Sequence, residues 1–469
     1  MADESLTRKS AVALSRLIKA RKLSPLELLE AHLRVVERVN PKLNAIVTLI
    51  AEKARTAARE CEAAVMRGAA GPLAGLPFVV KDVTTTAGVR TTYGSPLFKD
   101  FVPAEDAEVV RRLKTAGAIL LGKTNTPEFA AGANTVNAVF GATLNPWNPK
   151  LSPAGSSGGS AVAVATGMAA LAQGTDFGGS IRVPAAFNGI VGIRPTPGIV
   201  SNHPAALAWD PSQVNGPLAR SAEDVALVLD TMIGVSRYSP VSTAAPWKSA
   251  LEIVAQTSDV RGKRLAYCAD IAGIGVEPEI DAICRKAALS LQSAGASIED
   301  IAFDASDGLA PYKTLRGEWM VGAQFANLPR LEEFGANLQG NVKAGLKLTA
   351  LDIAKAENKR QEVFHRFRTL FESYDALLTP TAPIKPFPIE MNYPAEINGR
   401  KLENYIDWIA PTFLITLVSL PAGSVPAGKT ADNLPVGLQI VAPRFEDPFI
   451  LSLAKFVEKA NPIGHPPDA

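Results

Sequence analysis

Two clusters of glycine and serine, set close together, constrain this chain more than any other feature. The first covers residues 155–160, the second covers residues 176–180, and a short apolar segment lies between them. Glycines at this density let backbone N–H groups come close to a ligand, where side chains would otherwise stand. Serine hydroxyls among them can serve as a nucleophile and as a proton relay. The stretch from 152 to 184 therefore predicts the active site of a serine hydrolase.

The composition is that of a globular protein and disfavours several other classes. Of 469 residues, 47% are hydrophobic and 20% are charged, with a formal net charge of +2. This balance gives no reason to expect a nucleic acid or an acidic membrane surface as partner. We find no apolar run near the ~18 residues of a membrane span and no secretory signal. The three scattered cysteines predict neither a disulfide framework nor a metal site, so a reducing cytoplasm is expected.

The order of predicted elements favours an α/β fold in a single domain, 1–469. A mostly helical N-terminal segment, about 1–66, is expected to pack on the core. A buried strand at 78–80, an amphipathic helix at 107–115 and a second buried strand at 118–121 follow in β-α-β order. Further strands are predicted at 189–193, 264–268, 376–378 and 437–441, and further helices at 221–233, 278–294, 350–374 and 448–461.

Residues 117–124 match the phosphate-binding pattern G-x-x-x-x-G-K-[ST]. The four variable positions read Ala-Ile-Leu-Leu, which is typical of a strand interior rather than of a flexible loop. Asn125-Thr126-Pro127 then stands where that motif requires a helix. We therefore interpret Lys123 as a structural residue.

Residues 155–159 also match the nucleophile elbow G-x-S-x-G, with Ser157 as nucleophile. That elbow needs a strand directly before it, yet prolines interrupt residues 146–153, and proline is excluded from central strands. It also needs a downstream histidine, and His203, His365 and His465 lie in no recognisable context. The elbow is therefore disfavoured.

A lysine base would account for the scarcity of histidine. A serine hydroxyl needs an adjacent base, and lysine can act as one if its pKa falls from ~10.4 to about 7–8. Burial at a strand end, as predicted for Lys81, would lower the pKa. By position alone, a lysine at a strand end is more often a surface residue with its stem on apolar neighbours. Composition leaves the pairing of lysine and serine open.

Several segments of the chain resemble the amidase signature family. The matching segments are 75–82, 122–129, 145–147, 155–165, 174–185, 192–196 and 216–221, with weaker matches at 420–426 and 434–439. The resemblance spans nearly the whole chain. It implies an α/β fold with a mixed central β-sheet covered on both faces by helices. It also implies an enzyme that hydrolyses the C–N bond of a small aliphatic or aryl amide, without cofactor or metal.

The resemblance also implies roles for individual residues. Ser180 corresponds to the nucleophile that forms an acyl-enzyme, Ser156 to a relay at a non-proline cis peptide bond, and Lys81 to the base. The oxyanion hole would be formed by the N–H groups of Phe177, Gly178, Gly179 and Ser180. The backbone at Ala130 and Ala131 would form a wall of the substrate cleft, and Asp176 and Arg182 would support the loop. Ala154 departs from the family, which usually has glycine there, and Phe177 stands where a smaller residue is common.

The substrate stays open, because specificity in this family lies in variable segments, here 126–144, 200–215 and 310–350. Residues that could line an apolar pocket, although each is more often a core residue, are Trp209, Tyr312, Trp319, Met320 and Phe325. His203 is a weaker candidate for the cleft.

Two other functions remain. One is a subunit that makes ammonia from glutamine for a partner enzyme, although segment 200–215 lacks the sequence expected of it. The other is a catalytically silent binding protein on the same fold, against which the intact Lys81, Ser156 and Ser180 argue. The expected partner is a small-molecule amide, and homodimer formation is left open.

Overall fold

The computed structural model describes residues 4–467, in which fifteen β-strands and fourteen α-helices alternate along most of the chain. The strands are β1 (Ile46–Leu49), β2 (Pro77–Lys81), β3 (Ile119–Thr124), β4 (Val136–Asn137), β5 (Gly141–Ala142), β6 (Leu171–Asp176), β7 (Val191–Arg194), β8 (Val214–Ala219), β9 (Arg264–Tyr267), β10 (Ser297–Asp300), β11 (Ala376–Pro380), β12 (Glu396–Ile397), β13 (Arg400–Lys401), β14 (Ala422–Lys429) and β15 (Pro435–Val441). The helices are α1 (Ala11–Lys19), α2 (Pro25–Leu43), α3 (Ala51–Met66), α4 (Glu108–Thr115), α5 (Gly158–Ala165), α6 (Arg182–Asn188), α7 (Ala222–Met232), α8 (Ala250–Gln256), α9 (Pro278–Leu289), α10 (Leu309–Ala323), α11 (Ala336–Gly345), α12 (Ala350–Ser373), α13 (Ala410–Leu417) and α14 (Asp447–Ala460).

Eleven of these strands form one mixed sheet. Its order is β1-β3-β2-β6-β8-β7-β14-β15-β11-β9-β10. β2 runs parallel to β3 and β6, and β9 runs parallel to β10 and β11. The remaining pairs in the sheet are antiparallel. The predicted mixed central sheet is therefore confirmed.

Helices cover both faces of this sheet, because alternate strand residues enter two different apolar clusters. Phe78 and Val80 of β2 pack in a cluster with α4, α7 and α14. Val79, between them, packs in a cluster with α2 and α5 on the opposite face. Side chains alternate in this way along any strand. The cover on both faces confirms the predicted fold class.

The N-terminal segment, predicted as mostly helical, contains α1, α2 and α3 but also a strand. β1 pairs antiparallel with β3, between α2 and α3. Four residues carry too short a pattern to separate from helix by periodicity. The domain extent 1–469 remains a prediction, and its ends, 1–3 and 468–469, lie outside the described residues. Within residues 4–467, no helix has the length and apolar character needed to cross a membrane.

The sheet brings three strand ends to one edge, because β2, β3 and β6 are parallel neighbours. Lys81 ends β2, where it is the register partner of Thr124, and Asp176 ends β6. α5 lies over these ends, and Thr124 Oγ1 is 2.7 Å from Ser160 Oγ on that helix. Lys81 therefore projects toward α5, whereas Lys123, the register partner of Val80, projects to the opposite face.

Candidate active site

Lys81 is fully buried and contacts two hydroxyls. Its Nζ lies 2.6 Å from Ser156 Oγ and 2.9 Å from Thr175 Oγ1. Its side chain has 0% exposure, so the interpretation as a surface lysine is wrong. Burial lowers the pKa of Lys81 well below its usual value, and the Asp176 carboxylate opposes this only in part. A lysine in this state can accept a proton from a hydroxyl.

Ser156 lies in the turn before α5, which is packed on β2 and β6. The peptide bond between Gly155 and Ser156 is cis, as the resemblance implied for this serine. Ala154 has φ 61°, in the left-handed region that glycine adopts most easily. This backbone conformation explains why glycine suits the position better than alanine.

Ser157 does not have the environment of an elbow nucleophile. Its side chain is fully buried, and its Oγ donates to the carbonyl oxygen of Thr175 at 3.3 Å. Its N–H donates to the carbonyl oxygen of Ser180 at 3.1 Å. Ser157 therefore ties the turn before α5 to the second glycine-serine cluster.

Asp176 and Arg182 brace the loop that carries Ser180. Arg182 Nη2 lies 2.8 Å from Asp176 Oδ1, and both side chains are fully buried. Burial alone would raise the pKa of Asp176, but Arg182 and Arg194 together lower it to about 2. The ionised carboxylate accepts hydrogen bonds from the N–H groups of Gly179 and Ile181 at 2.9 and 3.1 Å. These bonds hold the loop from both ends.

Both glycines of this loop are required by close packing. A Cβ on Gly178 would come within 2.6 Å of the Tyr312 hydroxyl oxygen, and one on Gly179 within 2.2 Å of Thr412 Oγ1. Gly179 also has φ 123°. The expectation that all four N–H groups from Phe177 to Ser180 are free for an oxyanion needs correction, because Gly179 N–H already donates to Asp176.

Ser156 and Ser180 line the same small cavity, of about 30 Å³. It has room for about two water molecules. Its wall is completed by Phe129, Ala130, Gly132, Thr175, Phe177, Gly178, Gln213, Arg316, Trp319, Met320, Tyr405, Ile406 and Ile409. A second cavity of about 590 Å³ shares Phe129, Ala130, Thr175, Gln213, Trp319 and Met320 with the first and lies outside it. We refer to them as the inner cavity and the outer chamber.

Of the two residues predicted for the cleft wall, Ala130 lines the cavities and Ala131 does not. Ala130, with φ 58°, lines both the inner cavity and the outer chamber. Ala131 is not among the described residues that line either cavity. It packs instead in an apolar cluster with Phe334 and Leu338. The backbone turns between the two residues, so only the first faces the site.

The aromatic candidates from the variable segments also divide. Trp319 and Met320 line the inner cavity, and Tyr312 packs behind Phe177, whose carbonyl oxygen it bonds at 3.0 Å. Trp209 and Phe325 are 79% and 73% exposed. Neither is among the described residues that line the inner cavity or the outer chamber. His203 stacks on Tyr238, with ring centroids 4.9 Å apart. His203 itself is absent from the wall of the outer chamber, although its neighbours Asn202 and Pro204 both line it.

Sequence reasoning missed Arg316 and Tyr405. Arg316, Trp319 and Met320 stand at i, i+3 and i+4 on α10 and so share one helical face. That spacing could have indicated Arg316 once Trp319 was a candidate. No comparable signal exists for Tyr405, which reaches the site from an irregular segment between β13 and α13.

Lys123 lies outside the inner cavity and holds a loop. Its Nζ donates to the carbonyl oxygen of Thr84, and to Thr86 Oγ1 and Thr91 Oγ1 at 3.0 and 3.1 Å. Burial lowers its pKa to about 7. The matched phosphate-binding pattern lies largely within β3, so a phosphate loop is absent from residues 117–124.

A family model of amidases matches residues 27–451, most of the chain. The chain belongs to the amidase family. This amidase is 35% identical to an acylamidase of Rhodococcus erythropolis, over 98% of this chain and 97% of that protein. It is 36% identical to a glutamyl-tRNA(Gln) amidotransferase subunit of Symbiobacterium thermophilum, over 96% of both chains.

The solved structures agree with this assignment. A bacterial aryl acylamidase of the amidase signature family superposes with a TM-score of 0.90 and 29% identity, over 97% of this chain and 96% of that one. The amidase is therefore a hydrolase that acts on C–N bonds of amides. Within residues 4–467, no group of three or more His, Cys, Asp or Glu side chains is arranged to hold a metal ion.

Proposed function

We propose that this amidase hydrolyses small aliphatic or aryl amides through an acyl-enzyme on Ser180. The observation that carries the proposal is the 2.6 Å contact between Lys81 Nζ and Ser156 Oγ, both fully buried, beside the cavity that Ser180 lines. Neutral Lys81 takes a proton from Ser156, and Ser156 takes one from Ser180. The Ser180 Oγ then attacks the amide carbonyl carbon.

The negative charge on the carbonyl oxygen is stabilised by backbone N–H groups of residues 177–180. Gly179 N–H is engaged by Asp176, so the donors are the N–H groups of Phe177, Gly178 and Ser180. Preformed donors of this kind need no rearrangement as charge develops. The proton returns through Ser156 to the leaving amine as the C–N bond breaks. Water then attacks the ester at Ser180 and releases the acid.

The two cavities support a small substrate. The inner cavity holds the group next to the serines, and the outer chamber of about 590 Å³ has room for an aryl or alkyl group. Phe177 and Trp319 meet at the inner cavity with ring centroids 4.5 Å apart, which favours flat or apolar groups beside the carbonyl. The acylamidase names of two similar proteins point to the same class.

Covalent labelling tests the proposal. We expect a fluorophosphonate to label Ser180, located by peptide mass, and Lys81→Ala to slow labelling by about 10²–10⁴-fold because the base is lost. Lys123→Ala is the matched control, since Lys123 is equally buried but projects to the other face of the sheet. Labelling of Ser157, or equal loss in both lysine variants, would contradict the proposal.

A second candidate is a subunit that makes ammonia from glutamine for a partner. The similarity to a glutamyl-tRNA(Gln) amidotransferase subunit favours it. The chain alone should hydrolyse an anilide if it is an independent amidase, and should be inactive with all amides but glutamine if it is such a subunit. A silent binding protein would neither hydrolyse amides nor be labelled at Ser180.

A further inference from the structure

Arg316 is a buried cation on the wall of the inner cavity. Its side chain is 6% exposed, and it lines that cavity together with Ser156 and Ser180. A guanidinium keeps its charge in a protein interior. Moving such a charge out of water is costly unless a partner of opposite charge compensates it.

The protein groups around Arg316 are neutral. Its Nε donates to Asn341 Oδ1 at 3.1 Å and its Nη2 to the Tyr405 hydroxyl at 2.8 Å, and the Tyr312 hydroxyl is also beside it. Its guanidinium carbon lies 5.3 Å from the ring centroid of Phe177 and 5.8 Å from that of Tyr405. Among the ion pairs found in residues 4–467, none involves Arg316.

The other charges near the cavity leave this cation uncompensated. The Asp176 carboxylate is paired with Arg182 at 2.8 Å and has Arg194 at 3.8 Å. Asp407, the acidic residue near Tyr405, is paired with Lys313 at 2.8 Å. Asp210 lines the outer chamber, where it is partly exposed to solvent. Among the described residues that line the inner cavity, Arg316 is the only one with a charged side chain.

We infer that Arg316 binds a carboxylate of the substrate, so that the preferred substrates are amides with an acidic group close to the scissile bond. The guanidinium presents N–H donors in the geometry that a carboxylate accepts. Asn341 and Tyr405 orient the guanidinium, and its stacking on Phe177 keeps it beside the oxyanion loop. The inference rests on the proposed function, because it assumes that the amide occupies this cavity.

The carboxylate could belong to the acyl group or to the amine, and two substrate pairs separate these sources. For the acyl group we compare succinamate with butyramide by ammonia release. For the amine we compare N-acetyl-4-aminobenzoate with N-acetyl-4-methylaniline. In at least one pair, wild-type kcat/KM should be about 10–100-fold higher for the acidic member, as expected for a hydrogen-bonded charge pair.

The variant Arg316→Gln distinguishes a residue that binds the substrate carboxylate from one that only supports the structure of the cavity. It should abolish the preference within that pair, chiefly through KM, and change kcat/KM for the neutral member only a few-fold. Arg316→Lys keeps the positive charge but loses the paired N–H donors of the guanidinium, so it should restore only part of the preference. Arg360→Gln, outside both cavities, should keep the wild-type preference. Equal wild-type rates within both pairs, or an equal loss for both members in Arg316→Gln, would overturn the inference.

A binding measurement keeps the inference independent of the triad. In the inactive variant Ser180→Ala, the four amides should raise the melting temperature only when they are acidic, and Arg316→Gln in that background should remove the effect. Stabilisation by the neutral members alone would overturn the inference and leave the proposed triad intact. If the wild-type protein were not labelled at Ser180 while the acidic amides still stabilised the Ser180→Ala variant, the triad alone would be overturned.

Discussion

At the scale of the residue, burial decides what Lys81 can do. The 0% exposure of its side chain leaves hydroxyls, rather than water, as its nearest partners. Lysine in water is protonated at neutral pH and cannot act as a base. The neighbouring strand offers a direct comparison, because Lys123 is equally buried and yet bonds only to the loop at 84–91.

The protonation of Lys81 predicts the pH dependence of the amidase. Only neutral Lys81 can accept the Ser156 proton, so kcat/KM should be lost as the pH falls through the pKa of Lys81 in the folded protein. Because burial lowers that pKa, full activity should persist well below the ~10.4 of free lysine. The measurement is kcat/KM from about pH 5 to about pH 10.

The control for this profile is Lys123→Met, because burial lowers the pKa of Lys123 to about 7. The acid limb should keep its midpoint in this variant. If the limb moved or vanished, the titrating base would be Lys123 and the assignment of Lys81 would be wrong.

At the scale of the element, the turn from β6 into α6 is shaped by what surrounds it. The Asp176 carboxylate accepts a hydrogen bond from the Gly179 N–H in this turn. The Thr412 hydroxyl, on α13, donates to the Gly178 carbonyl oxygen at 2.7 Å. Arg182 joins the same two elements, since it bonds Asp176 and the Thr412 carbonyl oxygen at 2.9 Å. The loop that carries Ser180 is therefore held by residues far apart in sequence.

Gly179→Ala tests this packing. The added methyl would clash with Thr412 Oγ1 at a backbone φ of 123°, so we expect a loss of about 1–3 kcal/mol in the free energy of unfolding. Displacement of the oxyanion donors should also lower kcat/KM by ~10²–10³-fold. Urea unfolding and anilide hydrolysis measure the two effects.

Gly68→Ala is the matched control for Gly179→Ala. Gly68 also has a positive φ, 76°, but a methyl there would meet nothing within 4 Å. It should cost about 1–2 kcal/mol through the backbone alone and leave kcat/KM unchanged. Similar activity in the two variants would show that the packing of Gly179 is irrelevant to the site.

At the scale of the whole molecule, α1 and the helix that lies over the site, α5, pack on different faces of the sheet. α1 packs with α7 in the cluster opposite α5, and Asp224 of α7 accepts a buried hydrogen bond from Val12 N–H at 2.9 Å. This bond joins the start of the chain to its middle. It supports the fold without contact to the inner cavity.

Asp224→Ala should therefore weaken the packing of α1 and leave kcat/KM unchanged. An unpaired buried N–H costs about 1–3 kcal/mol, so unfolding should shift to lower urea, and trypsin should cut sooner near Lys19 and Lys22. Asp224→Asn keeps the accepting oxygen and should cost less. A parallel loss of kcat/KM in Asp224→Ala would contradict the separation of the two faces.

Much of the fold could be predicted from the chain itself. Strand β2, helix α12 and the β-α-β order follow from apolar periodicity, which depends on near neighbours. β1 could not be predicted, because it is stabilised by pairing with β3, more than seventy residues away. Which of Ala130 and Ala131 lines the inner cavity could not be predicted for a related reason, since one turn of the backbone decides it.

By itself the sequence determined the family and the positions of Lys81, Ser156 and Ser180, because those motifs are local runs of residues. Only the tertiary structure decided which hydroxyls Lys81 meets, which lysine faces α5, and that the Gly179 N–H is occupied. It also decided that Arg316 enters the same cavity. Distances of a few ångströms between strands, helices and loops arise from sheet register and packing, and no local pattern encodes them.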